Sequence, residues 1–224
     1  MNNKSLVITI DGPAGAGKST VSKILANRLH YKYIDTGALY RAVALAAKNK
    51  SIDISDDLML EKLCEELQLK FVHTEEGLRL LLNNKDITDQ IRTPEISMLA
   101  SGVSARPCVR KFLFKIQREM GKEKEAVFEG RDMGTVVFPE ADVKFFLDAS
   151  HEKRAERRYV EIASKSSQNL EEVKKDMQTR DKNDSSRAIA PLKAAPDAIV
   201  IDSTNLTIQE VIETMIYYIN KSLI

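Results

Sequence analysis

The sequence predicts an α/β fold: a parallel sheet with helices on both faces, interrupted by a small antiparallel β insert. Three observations predict it. The apolar run Leu6-Val7-Ile8-Thr9-Ile10 leads into Gly12-Pro13-Ala14-Gly15-Ala16-Gly17-Lys18-Ser19 and then into a helical pattern; strand, glycine-rich turn and helix in that order make a phosphate-cradling loop. Farther along, short apolar runs alternate with amphipathic stretches, the texture of a parallel sheet covered by helices. Around residues 69–92 that texture gives way to hairpin-like runs.

Residues 6–10 read as a buried strand, apolar almost throughout because a central parallel strand is covered on both faces. Residues 20–29 follow as a helix, with Val21, Ile24, Leu25 and Leu29 at helical spacing. A short strand, 31–34, ends in Asp35-Thr36-Gly37, and an alanine-rich helix spans 38–48. Asp56-Asp57 starts a helix whose apolar side is Leu58, Leu60, Leu63 and Leu67 and which runs to Gln68. Residues 69–74 and 78–82 are β-like runs joined by Thr74-Glu75-Glu76-Gly77 as a hairpin. Asn83-Asn84-Lys85-Asp86 offers another turn, before a short run around Ile87. Pro94 and Pro107 each open a helix at its first turn, the second reaching about Met120. Residues 126–128 and 143–147 are two more core strands. Ser150 caps a charged helix, 151–163; a polar break covers 164–169, and a second charged helix runs from Leu170 to about Asn183. Residues 198–201 close the sheet, and a final helix spans about 208–221.

With 224 residues, the chain has room for one embellished domain or two small ones. Lys+Arg of 34 against Asp+Glu of 33 leaves a net charge of +1, which gives no electrostatic case for nucleic acid or a membrane surface as partner. The two cysteines, Cys64 and Cys108, sit among apolar neighbours in predicted helices and read as buried free thiols. His30, His73 and His151 share no motif, so neither a histidine metal site nor a catalytic triad is expected. The first apolar run is broken by Asp11, too soon for a signal segment or a membrane span, so a reducing, cytoplasmic setting is expected.

The chemistry starts at the glycine-rich loop. Glycines let backbone N–H groups crowd around a phosphate, and the helix N-terminus adds positive potential. Lys18 would reach the β- and γ-phosphates, and the Ser19 hydroxyl would help to hold Mg²⁺. A nucleoside triphosphate is therefore the expected ligand, and a merely structural turn the bland alternative. The guanine-reading order Asn-Lys-x-Asp is absent, the nearest string being Asp181-Lys182-Asn183-Asp184, which counts against a GTPase switch. Arg41 follows the second strand at the sheet edge where open α/β sheets bind ligands, placed to meet a second phosphate; a cap followed by a solvated arginine is the alternative. Glu129-Gly130-Arg131-Asp132-Met133-Gly134-Thr135 follows the next core strand, either as a ligand-approaching loop or as a salt-bridged turn. Arg180, Asp184 and Arg187 would share one face if their helix continues that far, as a site or as ordinary surface electrostatics. Arg154, Arg157 and Arg158 fall on one helical side, either as a solvated helix or as a mobile phosphate clamp, with Glu161 among them to relieve the repulsion.

Through residues 11–20 and 35–41, the insert around 69–92, the block Gly130-Arg131-Asp132-Met133-Gly134-Thr135-Val136-Val137-Phe138-Pro139, and Arg180-Asp181 through Asp184 to Arg187-Ala188-Ile189-Ala190-Pro191-Leu192, the chain resembles the bacterial cytidylate kinases of the nucleoside monophosphate kinase family. The match covers essentially its whole length. The resemblance implies the P-loop nucleoside monophosphate kinase fold with a helical lid. Its core would be 1–35, 106–150 and 191–224, its monophosphate-binding region 36–105, and its lid 151–190. It implies transfer of the γ-phosphoryl of ATP to CMP or dCMP. Gly12, Pro13, Ala14, Gly15, Ala16, Gly17, Lys18, Ser19 and Thr20 would bind ATP. Thr36, Tyr40, Arg41, Ser101, Arg110, Arg131, Asp132, Arg180, Asp184 and Arg187 would line the monophosphate site. Within it, Ser101, Arg110 and Asp132 would read cytosine, Asp184 the ribose hydroxyls, and the remaining arginines the phosphate. Lys18, Arg131 and Arg180 would carry catalysis, Ser19 would hold Mg²⁺, and Arg154, Arg157 and Arg158 would belong to the lid. The attacking phosphate oxygen is already anionic, so no general base is needed; lid and insert would close to exclude water. A monomer is expected. The alternatives are another P-loop kinase acting on UMP, AMP or shikimate, and a non-catalytic ATP-sensing module.

Overall fold

Every residue of β1 (Val7–Asp11) is buried, and this strand lies at the centre of the main sheet. In the computed structural model, described over residues 5–75, 77–163 and 166–223 with His73 by its backbone alone, α1 (Lys18–Leu29), β2 (Lys32–Asp35), α2 (Thr36–Asn49) and α3 (Asp57–Glu66) follow. Next come β3 (Leu69–Thr74), β4 (Gly77–Leu82), β5 (Lys85–Asp86), α4 (Pro94–Val103) and α5 (Pro107–Met120). The chain continues through β6 (Ala126–Gly130), a π-helical turn Met133–Val137, β7 (Val143–Asp148), α6 (His151–Ile162), α7 (Leu170–Ser186), β8 (Ile199–Asp202) and α8 (Ile208–Ser222). The chain divides into two units, Met1–Asp35 with Gln117–Ile224, and Thr36–Ile116.

The first unit holds a parallel sheet of order β2-β6-β1-β7-β8. Leu6, Ile8 and Ile10 point to one face, where Val21, Leu25 and Ala26 of α1 and Val211, Ile212, Met215 and Ile219 of α8 close the core over them. On the other face of β1 stand Thr9 and Asp11, and Phe128 of β6 packs against Phe138 with ring centroids 4.4 Å apart. Helix starts follow their side chains. Ser150 Oγ accepts from Lys153 N at α6, as its sequence context predicts, and capping boxes Asn169/Glu172 and Thr207/Glu210 open α7 and α8.

The second unit carries α2, α3, α4 and most of α5 with a small antiparallel sheet, β3-β4-β5. Asp56 caps α3 by accepting from Met59 N, and Thr93 caps α4 just before Pro94. The parallel sheet with helices and the small antiparallel sheet are the architecture the sequence predicts.

Boundaries differ in ways that matter. α1 begins at Lys18 rather than Thr20, because Gly17 caps it directly from the loop. α2 begins at Thr36, straight from β2. β6 continues past Phe128 to Gly130, so Glu129 is a strand residue paired in register with Ile10, not the start of a loop. β8 is displaced one residue, to Ile199–Asp202. The third strand of the insert is Lys85–Asp86 instead of a run around Ile87. Asn83 and Asn84, at φ 47° and 64°, make the tight primed turn themselves. The hairpin's Glu76, and Ser164 and Lys165 of the polar break, lie outside the described residues. Cys64 is buried, and burial pushes its thiol up to about 12; Cys108 is only half-buried, short of the expected burial.

Phe128 is fully buried against Phe138. Phe128→Ala is expected to destabilise the chain by about 3–5 kcal/mol, read by urea unfolding.

Candidate active site

The loop between β1 and α1 is shaped by what surrounds it. Gly12 has φ 146°, and a Cβ there would stand 2.0 Å from Leu147 O. At Gly15, φ 74°, a Cβ would come within 2.6 Å of Arg154 O. Only glycine fits either position. Ala14 packs into a small core with Ala155, Ile162, Val173 and Met177 of α6 and α7.

Two arginines of α6 grip the loop's carbonyls. Arg154 donates from Nη1 to Ala14 O (3.1 Å) and Asp181 Oδ2 (2.6 Å) and from Nε to Ala149 O (2.9 Å). Arg157 donates to Ser203 O (2.7 Å), Ser203 Oγ (3.0 Å) and Ala16 O (3.4 Å). A planar trans peptide sets its N–H opposite its C=O, so the N–H groups of Gly15 and Gly17 point away from these arginines. Arg158 pairs with Glu161 at 2.9 Å. The solvated-helix alternative therefore fails for Arg154 and Arg157, which lie against the loop.

Lys18, at the first turn of α1, is buried, and its Nζ donates to Pro13 O at 2.6 Å. Burial holds its pKa well below the usual lysine range. The positive charges of Arg131 and Arg180 push the same way, while Glu129 and Asp11 oppose them. Ser19 Oγ donates to Glu129 Oε1 at 2.8 Å. The Tyr33 hydroxyl hydrogen-bonds both Glu129 and Ser19, and burial, then the charges of Asp35 and Glu129, raise its pKa so that it stays protonated.

The arginine-rich stretches meet as two crossed ion pairs. Arg131 Nε stands 3.1 Å from Asp184 Oδ2, and Arg187 Nη2 stands 3.5 Å from Asp132 Oδ1. Arg187 Nε also donates to Ala190 O at 2.6 Å. α7 runs on to Ser186, so Arg180 and Asp184 are helical. Arg187, by contrast, is the extended residue just past the helix end, so the three do not share one helical face. Its approach to Asp132 comes from the turn after the helix.

In the second unit, α2 presents Thr36 and Tyr40 one turn apart, both buried, with Arg41 beside them. The Arg110 guanidinium lies 5.7 Å over the Tyr40 ring and donates to Ser104 O at 3.1 Å. Ser104 Oγ donates to the carbonyl of Ser101, which links Tyr40, Ser101 and Arg110 within that unit.

Sequence reasoning passed over three participants. Tyr33 and Glu129 support Ser19. Asp11 accepts from Met133 N at 2.9 Å and Gly134 N at 2.7 Å. The signal for Asp11 and Glu129 was present: each is a carboxylate at or next to the end of a mostly apolar, fully buried strand, a placement that needs partners. The π-helical turn leaves no such signal.

A family model described as cytidylate kinase matches residues 8–221. A cytidylate kinase of Geobacter sulfurreducens is 50% identical over 95% of this chain and 91% of its own length. One from Geobacter sp. (strain M21) is 50% identical over 96% and 93%. Among solved structures, a shikimate kinase from Bacteroides thetaiotaomicron superimposes with a TM-score of 0.51 over 97% of this chain and 99% of that one; at 11% identity this likeness concerns the fold alone.

Burial pushes the Asp11 carboxyl up from 3.8 to about 6, against the pull of its two amide bonds. The folded state then keeps this proton where the unfolded chain has lost it, so stability falls as pH rises from about 4 to about 6. Between pH 4 and pH 7, wild type is expected to lose about 3 kcal/mol relative to Asp11→Asn, measured by urea unfolding at each pH. A pH-independent difference would contradict this.

Proposed function

The chain belongs to the cytidylate kinase family and is a kinase of the CMP kinase type, and from that premise we propose how its residues move the γ-phosphoryl of ATP onto CMP or dCMP. The observation that carries the reading is the crowding of positive charge at Lys18. The Lys18 ammonium is buried, and burial first, then the charges of Arg131 and Arg180, weaken its proton against the pull of Glu129 and Asp11, so added negative charge is favourable there. Two phosphorylated nucleotides supply it.

On the ATP side, residues 12–20 wrap the triphosphate, with Lys18 at its β- and γ-phosphates. On the acceptor side, Arg41, Arg131, Arg180 and Arg187 hold the monophosphate, with Thr36 and Tyr40 beside it. Ser101, Arg110 and Asp132 read the cytosine edge, and Asp184 the ribose hydroxyls. The acceptor oxygen is anionic near neutral pH and needs no base. Catalysis is in-line alignment plus neutralisation of the transferring group, with Lys18, Arg131 and Arg180 as its agents.

A Mg²⁺ ion fits the donors at the loop. Ser19 Oγ and the Glu129 carboxylate it touches are hard oxygen donors, of the kind that suits an ion held mainly by phosphates and water. Ser19 would hold it, with Glu129 and Tyr33 behind; when bound, it screens the oxygens of the triphosphate.

The core is 1–35, 106–150 and 191–224, the acceptor region 36–105, and the lid 151–190. Arg158 is the lid arginine not tied to the loop, with Arg154 and Arg157 at its base. The protein acts as a cytoplasmic monomer on small molecules, without nucleic acid or membrane. The net charge of +1 gives no electrostatic case for nucleic acid, and among the described residues no helix is long and apolar enough to cross a membrane.

Arg131→Ala is expected to lower kcat at least ~10²-fold in a folded protein, the scale of losing one charge-stabilising donor; a near-normal kcat removes it from the mechanism. With ATP as donor, diphosphate formation from CMP and dCMP is expected to exceed that from UMP and AMP, with no phosphorylation of shikimate. A different order, or ATP binding without turnover, would overturn the assignment.

A further inference from the structure

The scheme above leaves Asp11 without a task, yet its surroundings are specific. It ends β1 immediately before Gly12, is 4% exposed, and stands in register opposite Gly130. Its two oxygens take one amide each, from Met133 and Gly134. Those amides open the π-helical turn, whose own ladder starts only with Val136 N and Val137 N on Asp132 O. The first N–H groups of a helical turn lack partners inside it, and here a carboxylate from another strand supplies them. The turn is also pressed onto β1, since a Cβ at Gly134 would come 3.0 Å from Thr9 Oγ1 and 3.4 Å from Asp11 Oδ2. On the other side of Asp11, Gly12 is locked against Leu147. One side chain thus ties the strand that launches the phosphate loop to the turn that directly follows Arg131 and Asp132.

We propose that Asp11 is a positioning residue, holding Arg131 and Asp132 at a fixed place relative to the phosphate loop without touching either nucleotide. A carboxylate is required because it accepts two N–H groups at once, whereas an amide side chain has one accepting oxygen and turns an NH₂ toward the second donor. Burial disfavours the charge, so the carboxylate is kept against a stability penalty. The inference rests on the proposed roles of Arg131 and Asp132.

Amide hydrogen exchange on the wild-type chain comes first. Met133 and Gly134 are expected to be protected although they lie in no strand; exchange at open-loop rates overturns the proposal whether or not any variant folds. In Asp11→Asn, those two amides are expected to lose protection by at least about tenfold. kcat with ATP and CMP should fall about 10²-fold, the scale of a small misplacement at the reacting centre, while ATP affinity by calorimetry stays within about twofold. In an Arg131→Ala background the same substitution should change kcat by no more than about twofold, because the catalytic side chain it positions is gone, while its effect through Asp132 remains visible in KM for CMP. Equal losses in both backgrounds, or ATP affinity falling in step, would make Asp11 a general prop and overturn the positioning role. If Arg131→Ala alone leaves kcat normal while Asp11→Asn frees the two amides, it is the roles assigned to Arg131 that fail, and the anchor stands.

Discussion

Like charges held together out of water define this site. Lys18 is buried, and its proton is weakened by burial first and then by Arg131 and Arg180, against the pull of Glu129 and Asp11. The carboxylates around it are committed elsewhere: Asp184 faces Arg131, Asp132 faces Arg187, and Glu129 takes the Ser19 hydroxyl. The first two pairings fix an arginine's direction while leaving the cluster able to gain from an anion. Concentrated positive potential in a dry site is worth more to a phosphate than the same charges in water. The rest of the first unit can be understood as what keeps these groups from moving apart.

That restraint comes from backbone as much as from side chains. Carbonyls of the phosphate loop are tied outward by Arg154, Arg157 and Ser203, and the loop's Ala14 is packed into the α6–α7 core. The loop is therefore held open from behind rather than by its ligand. Preorganisation of this kind spares a binding site the cost of ordering itself when the substrate arrives. The same α6–α7 pair carries Arg180 and Asp184, so the geometry of the loop and of the acceptor arginines depends on shared packing.

Stability and function pull in different directions here. Asp11 is a buried carboxyl raised to about 6, and Lys18 a buried ammonium weakened by its neighbours. An apolar residue at either place would pack more easily. The apolar core between the sheet and its helices, built from Ile8 and Ile10 of β1, Leu25 of α1 and Met215 of α8, supplies the stability that these groups draw on.

What could be read from the chain alone was local. The phosphate loop, the caps at Asp56 and Ser150, the prolines opening α4 and α5, and the strand–helix alternation each depend on residues within a turn or two of one another, so spacing encodes them. The family resemblance added the names of distant site residues, but not their partners. Arg131 meets Asp184 across 53 residues, Ser19 meets Glu129 across 110, and Arg154 reaches Ala14 across 140. No periodicity records such meetings, because a guanidinium pairs with whichever carboxylate or carbonyl the packed sheet and helices bring within reach. The π-helical turn at Met133–Val137 belongs to the same category: its first amides are satisfied by Asp11 from another strand, and only the assembled sheet could place that carboxylate there.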